Sequence, residues 1–124
     1  FSTHTPWIEM NPRCKDINVE DALKDKDSIY YFYKKLIELR KTYKVISVGT
    51  YTPLFEESDC LYAFKRNYEN EELIVLNNFY AEETSVSIDN IEDYEVMISN
   101  YQDHDLKKEL HIRPYETVAL YKKK

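Results

Sequence analysis

A single glycine, Gly49, serves the whole 124-residue chain, and that scarcity removes several function classes at once. A G-x-S-x-G nucleophile turn, a phosphate-cradling P-loop and a dinucleotide fingerprint each need at least two glycines. Cysteine is nearly as scarce. Cys14 and Cys60 belong to no C-x-x-C pair and to no close His/Cys cluster, so a structural zinc site is not expected. They would pair only if the fold brought them together, and two free thiols of a cytoplasmic protein are the expectation. Long apolar runs are missing too: Leu73-Ile74-Val75-Leu76 is interrupted by Asn77 and Asn78, far short of a bilayer crossing. There is no signal-peptide pattern. The chain opens on Phe1 rather than Met, so its amino terminus is expected to be a cut. Positive charge is in deficit as well. The net charge of −6 argues against a nucleic-acid partner, and the only basic run, Lys122 to Lys124, is expected to be a solvated tail.

What is present suits a globular chain, with 43% hydrophobic and 32% charged residues. Residues 1–26 hold Pro6 and Pro12 and no sustained periodicity, which predicts an irregular loop. A short helix over 19–24 is expected within it, capped by Asn18 and carrying Glu20 and Asp21 in its first turn. Residues 28–43 are the clearest element. Ile29, Phe32, Tyr33, Leu36, Ile37, Leu39 and Tyr43 recur at three- and four-residue spacing, lining one broad face of a long amphipathic helix. Asp27 or Ser28 can cap it, while Arg40, Lys41 and Lys44 suit its carboxy-terminal dipole.

From Val45 the pattern becomes β. Strands are predicted at 49–55, 61–68, 73–80, 84–88, 95–100, 109–112 and 117–121, divided by turn-like clusters such as Glu56-Glu57-Ser58-Asp59 and Asp89-Asn90. Leu73 to Leu76 is apolar on both faces, as in a central strand, whereas 61–68 alternates as a half-buried one does. The fold class is therefore mainly β: an antiparallel β-sandwich of about seven strands, preceded by a loop and one long amphipathic helix. Gly49 lies where helix gives way to strand, where a positive φ is expected.

Side chains able to do chemistry are scattered. Hydrolysis of a glycoside usually needs two opposed carboxyl groups. The 23 acidic residues fall mostly in turns, and the pairs Glu56/Glu57, Glu71/Glu72 and Glu82/Glu83 sit in hydrophilic surroundings that would not separate their pKa values. His4 and His104 read as exposed loop residues and His111 as a strand-surface residue. Twelve tyrosines could stack on sugars, as in a carbohydrate-binding module, but most fit helix-stripe or strand-packing positions. Trp7, in a proline-containing loop, is either a loop anchor or a residue at the rim of a substrate site. No catalytic, cofactor-binding or metal-ligating residue is assigned.

The order of elements carries a resemblance. Phe1-Ser2-Thr3-His4-Thr5-Pro6-Trp7-Ile8, then Asn11-Pro12 and Ile17-Asn18-Val19, resembles the loop after the last barrel strand in glycoside hydrolase family 13 α-glucosidases of the oligo-1,6-glucosidase type. Residues 27–41 are similar to their final barrel helix. Leu61-Tyr62-Ala63-Phe64-Lys65-Arg66, Leu73-Ile74-Val75-Leu76-Asn77-Asn78-Phe79 and Arg113-Pro114-Tyr115-Glu116 are similar to their carboxy-terminal β domain. Thr3-His4 and Arg13-Cys14 depart from the family's usual Thr-Gly and Asn-Tyr, which bears on substrate preference.

The resemblance implies that residues 1–44 are the end of a catalytic (β/α)8 barrel and 45–124 a β-sandwich domain that stabilises it. It also implies that the retaining Asp/Glu machinery lies on earlier strands, so this chain alone is expected to be inactive and needs no cofactor. The missing barrel is the implied partner. Without it, either self-association through the stripe over 28–43 or disorder in the first ~45 residues is expected. Trehalose-6-phosphate hydrolases and dextran glucosidases remain open as parents, and a carbohydrate-binding module or a pure interaction domain as other classes.

Overall fold

A computed structural model describes residues 3–124; Phe1 and Ser2, which begin the loop motif, lie outside the described residues. The chain divides into two units, Phe1–Thr42 and Tyr43–Lys124.

In the first unit, Asn11 and Pro12 start a single 3-10 turn, Pro12–Lys15, with the Asn11 side chain accepting from Arg13 N at 2.9 Å. Helix α1, Val19–Ala22, is capped as expected: Asn18 Oδ1 accepts from Asp21 N at 2.9 Å. It stops two residues short of the expected end. Helix α2 runs Ile29–Thr42. Ser28 stands at its start, its carbonyl accepting from Tyr31 N and Phe32 N, and its hydroxyl donates to Ala22 O at 2.7 Å. Tyr31 Oη likewise donates to Leu23 O at 3.0 Å, so the first turn of α2 is tied to the end of α1. The stripe is real but only partly covered: Ile29 is 85% exposed, and Tyr33, Leu36 and Ile37 are exposed with it, while Phe32 is half-buried and Leu39 buried.

The second unit begins with an element that local propensity hides. Lys44–Val48 forms helix α3, although Val45, Ile46 and Val48 are β-branched and a strand pattern is expected from Val45 onward. Tertiary burial overrides propensity. Val45 is fully buried against Leu73, Ala119 and Tyr121, and its N–H points to Glu71 Oε2 at 3.4 Å.

Gly49 then corrects a second expectation. Its φ of −60° and ψ of 147° are open to any residue. Glycine is needed there for space, since a Cβ would lie 2.4 Å from Val45 O and 3.2 Å from Asn67 O. The left-handed positions fall instead at Phe55, Glu69, Asn90 and Tyr115, in the turns.

Seven strands follow: β1 Thr50–Leu54, β2 Leu61–Tyr68, β3 Glu71–Asn78, β4 Thr84–Ser87, β5 Glu95–Ser99, β6 Glu109–Ile112 and β7 Thr117–Lys123. They make an antiparallel sandwich of a five-stranded sheet, ordered β1-β2-β3-β7-β5, and a two-stranded sheet of β4 and β6. Leu61, Ala63, Ile74, Leu76, Val118 and Leu120 from the large sheet meet Val86, Ile88, Leu110 and Ile112, and Ile91 and Tyr94 complete this core. Strand β3 is central, as its two apolar faces require. Ile74 and Leu76 enter the inter-sheet core while Leu73 joins a second cluster on the other face. Strand β7 extends through Lys123, so the terminal lysines are not a free tail. Lys122 Nζ pairs with Asp93 at 3.1 Å and Lys124 Nζ with Glu72 at 3.4 Å.

Candidate functional site

Two buried carboxylates, Glu72 and Glu116, are the most unusual polar groups of the β domain. Glu116 arises from the turn before β7. There Pro114 restricts the backbone, Tyr115 takes a left-handed φ of 55°, and Glu116 N donates to Arg113 O at 3.2 Å. That geometry folds the fully buried carboxylate back onto Arg113. Its Oε2 accepts from Arg113 N at 2.7 Å and Nε at 3.1 Å, and its Oε1 accepts from Nη2 at 3.0 Å.

Arg113 also binds Asp103 Oδ1 at 2.7 Å and stacks 4.0 Å from the Tyr101 ring centroid. His104 closes the group, with Nδ1 3.4 Å from Glu116 Oε1 and Nε2 3.1 Å from Tyr101 O. The side chain of His104 is only 6% exposed, so this residue is not the exposed loop histidine expected. Acceptors on both sides of its ring draw it in.

Glu72 sits at the other end of the sandwich. It accepts a short hydrogen bond from Tyr94 Oη and lies 3.9 Å from Lys65 Nζ. Its neighbour Glu71 points to the opposite face, as successive strand residues must, and accepts from Tyr121 Oη at 2.8 Å. The pair Glu71/Glu72 therefore cannot face one substrate.

Electrostatics favours ionised, structural carboxylates. Burial works to raise Glu116, but the Arg113 hydrogen bonds outweigh it and hold the carboxyl below its usual range. In Glu72 burial is likewise overcome, by Tyr94, Lys65 and Lys124. Asp103 is lowered chiefly by its bond to Arg113. A glycosidase acid must instead be held up as a proton donor. Among the described residues, every carboxylate with a resolved shift, Asp21 included, is lowered.

These directions predict a pH profile. Glu72 and Glu116 have folded pKa values below their ordinary value of about 4.5, so their stabilisation is present above that pH and is lost as pH falls through the lower folded values. Tyr121 is pushed up to about 12 by burial and then by Glu71, and Tyr94 is raised by burial and then by Glu72. Their contribution is present below about pH 10 and is lost as pH climbs through the raised values. Urea midpoints across pH should show a plateau that falls at both ends; a midpoint unchanged between pH 6 and about pH 3 would contradict the carboxylate assignment.

The remaining candidates are not brought together. Trp7 is 93% exposed. His111 lies exposed on β6, its Nδ1 2.8 Å from Ser85 Oγ on β4. Glu56, Glu57, Glu82 and Glu83 are exposed. Cys14 and Cys60 are free thiols. Among the described residues, no cluster of three His, Cys, Asp or Glu is placed to hold a metal, and no helix is long and apolar enough to cross a membrane. The tyrosines divide. Tyr94 and Tyr121 are buried, Tyr43 meets Tyr121 edge-on at 5.0 Å, and Tyr51 and Tyr62 flank Phe64 on the face of the large sheet turned away from β4 and β6. Sequence reasoning missed Glu116, although Arg113-Pro114-x-Glu116 is a spacing that can close a turn on an ion pair.

An amphipathic helix followed by a seven-stranded antiparallel β-sandwich, its buried acids locked in ion pairs, is the arrangement that characterises this chain. Comparison with known proteins agrees. Residues 1–49 match the family "Alpha amylase, catalytic domain" and residues 61–119 match "Alpha-amylase SusG C-terminal domain". The chain is homologous to the C-terminal region of α-glucosidases of the α-amylase family, glycoside hydrolase family 13.

Among curated relatives, the oligo-1,6-glucosidase of Bacillus cereus is 40% identical over 96% of this chain and 22% of its own length. The trehalose-6-phosphate hydrolase of Bacillus subtilis is 35% identical, again over 96% of this chain and 22% of its own. The crystal structure of Bacillus licheniformis trehalose-6-phosphate hydrolase superposes with a TM-score of 0.87 at 41% identity, covering 98% of this chain and 23% of that one. The chain thus spans about a fifth of the length of these relatives.

Proposed function

We propose that this chain is the non-catalytic C-terminal part of a retaining α-glucosidase that acts on short α-glucosides in the cytoplasm. In this reading residues 1–44 complete a catalytic barrel, and 45–124 form a β-sandwich domain that stabilises it. One observation carries the proposal: a single chain passes from a catalytic-domain match ending at residue 49 to a C-terminal-domain match beginning at residue 61, at 22% of a relative's length. The ion-paired state of Glu72 and Glu116 supports a structural role for the β domain. Trp7, on the exposed loop, stands at the substrate rim of the completed enzyme, and the barrel wall covers the stripe of α2. Lacking that wall, the isolated chain self-associates through residues 28–43. Oligo-1,6-glucosidase and trehalose-6-phosphate hydrolase, both named among the relatives, are the parents this reading favours, with dextran glucosidase as a further alternative.

The test is twofold. The coding sequence upstream of Phe1 should encode roughly 400 residues of barrel in the same frame. The isolated chain should release no glucose from isomaltose or maltose and should scatter light as a species heavier than 15.0 kDa. An unrelated upstream domain, hydrolysis by the chain alone, or a monodisperse monomer with a protected α2 would each defeat a part of the reading. A carbohydrate-binding module is the second reading, favoured only by the ring group Tyr51, Tyr62 and Phe64.

A further inference from the structure

The two outward surfaces of the sandwich differ in a way that the inter-sheet core does not explain. On the small sheet, alternation is intact: Val86, Leu110 and Ile112 point inward, while Ser85, Ser87, Glu109 and His111 face water. That is the pattern of a sheet with one solvated face. The large sheet breaks it. Pro53, Phe64, Val75, Ala119 and Ile98 stand in register across β1, β2, β3, β7 and β5, on the face turned away from the small sheet. They form an unbroken apolar row spanning all five strands, at about 4.8 Å per strand. Beside the row lie Met97, half-buried, and the rings of Tyr51 and Tyr62, each 51% exposed. Such a continuous row belongs to a sheet covered on both faces.

What covers it is indicated at one end. Val45 and Ile46 of α3 already pack on this face with Leu73, Ala119 and Tyr121. These two residues fall within the 1–49 stretch that matches the catalytic domain. The last residues of the catalytic match therefore pack on this face of the β domain. We propose that the apolar row from Pro53 to Ile98, with Tyr51 and Tyr62, is the surface on which the β domain seats against the catalytic barrel.

The inference rests on the proposed parent and adds the identity of the buried face. A sugar is the less suitable occupant. The rings of Tyr51 and Phe64 lie 5.3 Å apart and could stack on a pyranose, but the row continues into Val75, Ile98 and Met97, which offer nothing to sugar hydroxyls.

Hydroxyl-radical footprinting tests this on two samples. One is the 124-residue chain. The other is a chimera in which this chain replaces the matching segment of the Bacillus cereus oligo-1,6-glucosidase. Tyr51 and Tyr62 should label at least ~5-fold more slowly in the chimera, with His111 unchanged within about twofold, because an interface core excludes water. A Tyr62→Lys substitution should leave the melting of the chain alone unchanged yet shorten the heat-inactivation half-life of the chimera by roughly tenfold. An active chimera with Tyr51 and Tyr62 labelled as fast as in the chain overturns the face assignment and spares the parent reading. A chimera that neither folds nor hydrolyses overturns both. Protection of Tyr51 and Tyr62 in the chain alone by millimolar isomaltose would make the face a sugar platform and also overturn the proposal.

Discussion

Replacing Glu116 with alanine is expected to remove about 3–5 kcal/mol of stability from the β domain, the usual cost of breaking a buried ion pair from one side. The carboxylate is fully buried and accepts three hydrogen bonds from Arg113, one of them from its backbone N–H. Deleting it strands that N–H in the interior and removes the anion beside His104. Arg113 is partly rescued, because Asp103 and solvent still reach its guanidinium. The estimate therefore belongs toward the lower end of the range. Domains of this size are stable by only about 5–15 kcal/mol, so the variant should unfold at much lower urea. Far-UV circular dichroism is the proper monitor, since the only tryptophan, Trp7, is exposed in the loop of the other unit. A loss below about 1 kcal/mol would mean that Pro114 and Tyr115 hold the turn without the ion pair.

Gly49→Ala is the second substitution with a large expected effect, and here the sign is informative. The backbone angles at Gly49 are acceptable to alanine. Judged on angles alone, the change should stabilise by about 0.4–1 kcal/mol through the unfolded state. Judged on space, it should destabilise by about 1–3 kcal/mol, as overpacking does. The second effect should win. The nearest atom to the new Cβ is a backbone carbonyl, Val45 O at 2.4 Å, with Asn67 O at 3.2 Å behind it, and neither can rotate away as a side chain would. Relief would require α3 to shift, and α3 carries the fully buried Val45. Thermal melting that rises instead of falling would show that this contact yields easily.

Residues whose neighbours lie along the chain were legible in the sequence. The stripe of α2, the Asn18 cap, the alternation in β2 and the double-faced Leu73 to Leu76 all announced themselves through periodicity. Residues whose state is set across the fold did not. Val45 to Val48 look like strand until Leu73, Ala119 and Tyr121 are placed beneath them. Lys122 and Lys123 look like tail until β3 supplies Glu72 and Glu71 as pairing partners. Glu116 looks like a turn acid, and Glu72 like half of an exposed pair, until burial and a specific cation or phenol are both in view. Gly49 stands out in the sequence, but its cause is space and not a positive φ: α3 brings Val45 O to 2.4 Å from where a Cβ would sit, and that contact is invisible until 44–48 is seen as helix.

The strand order has a consequence for how the chain is made. Strand β7, the seventh of the described strands in chain order, does not lie at an edge but between β3 and β5. Until residues 117–123 leave the ribosome, β5 has no neighbour in the large sheet and β3 shows an open edge. The nascent domain must therefore wait, with its pairing potential exposed, for its seventh strand to be inserted. A product ending at residue 116 would lack a middle strand rather than a margin, so incomplete copies stay recognisably unfolded and are open to degradation.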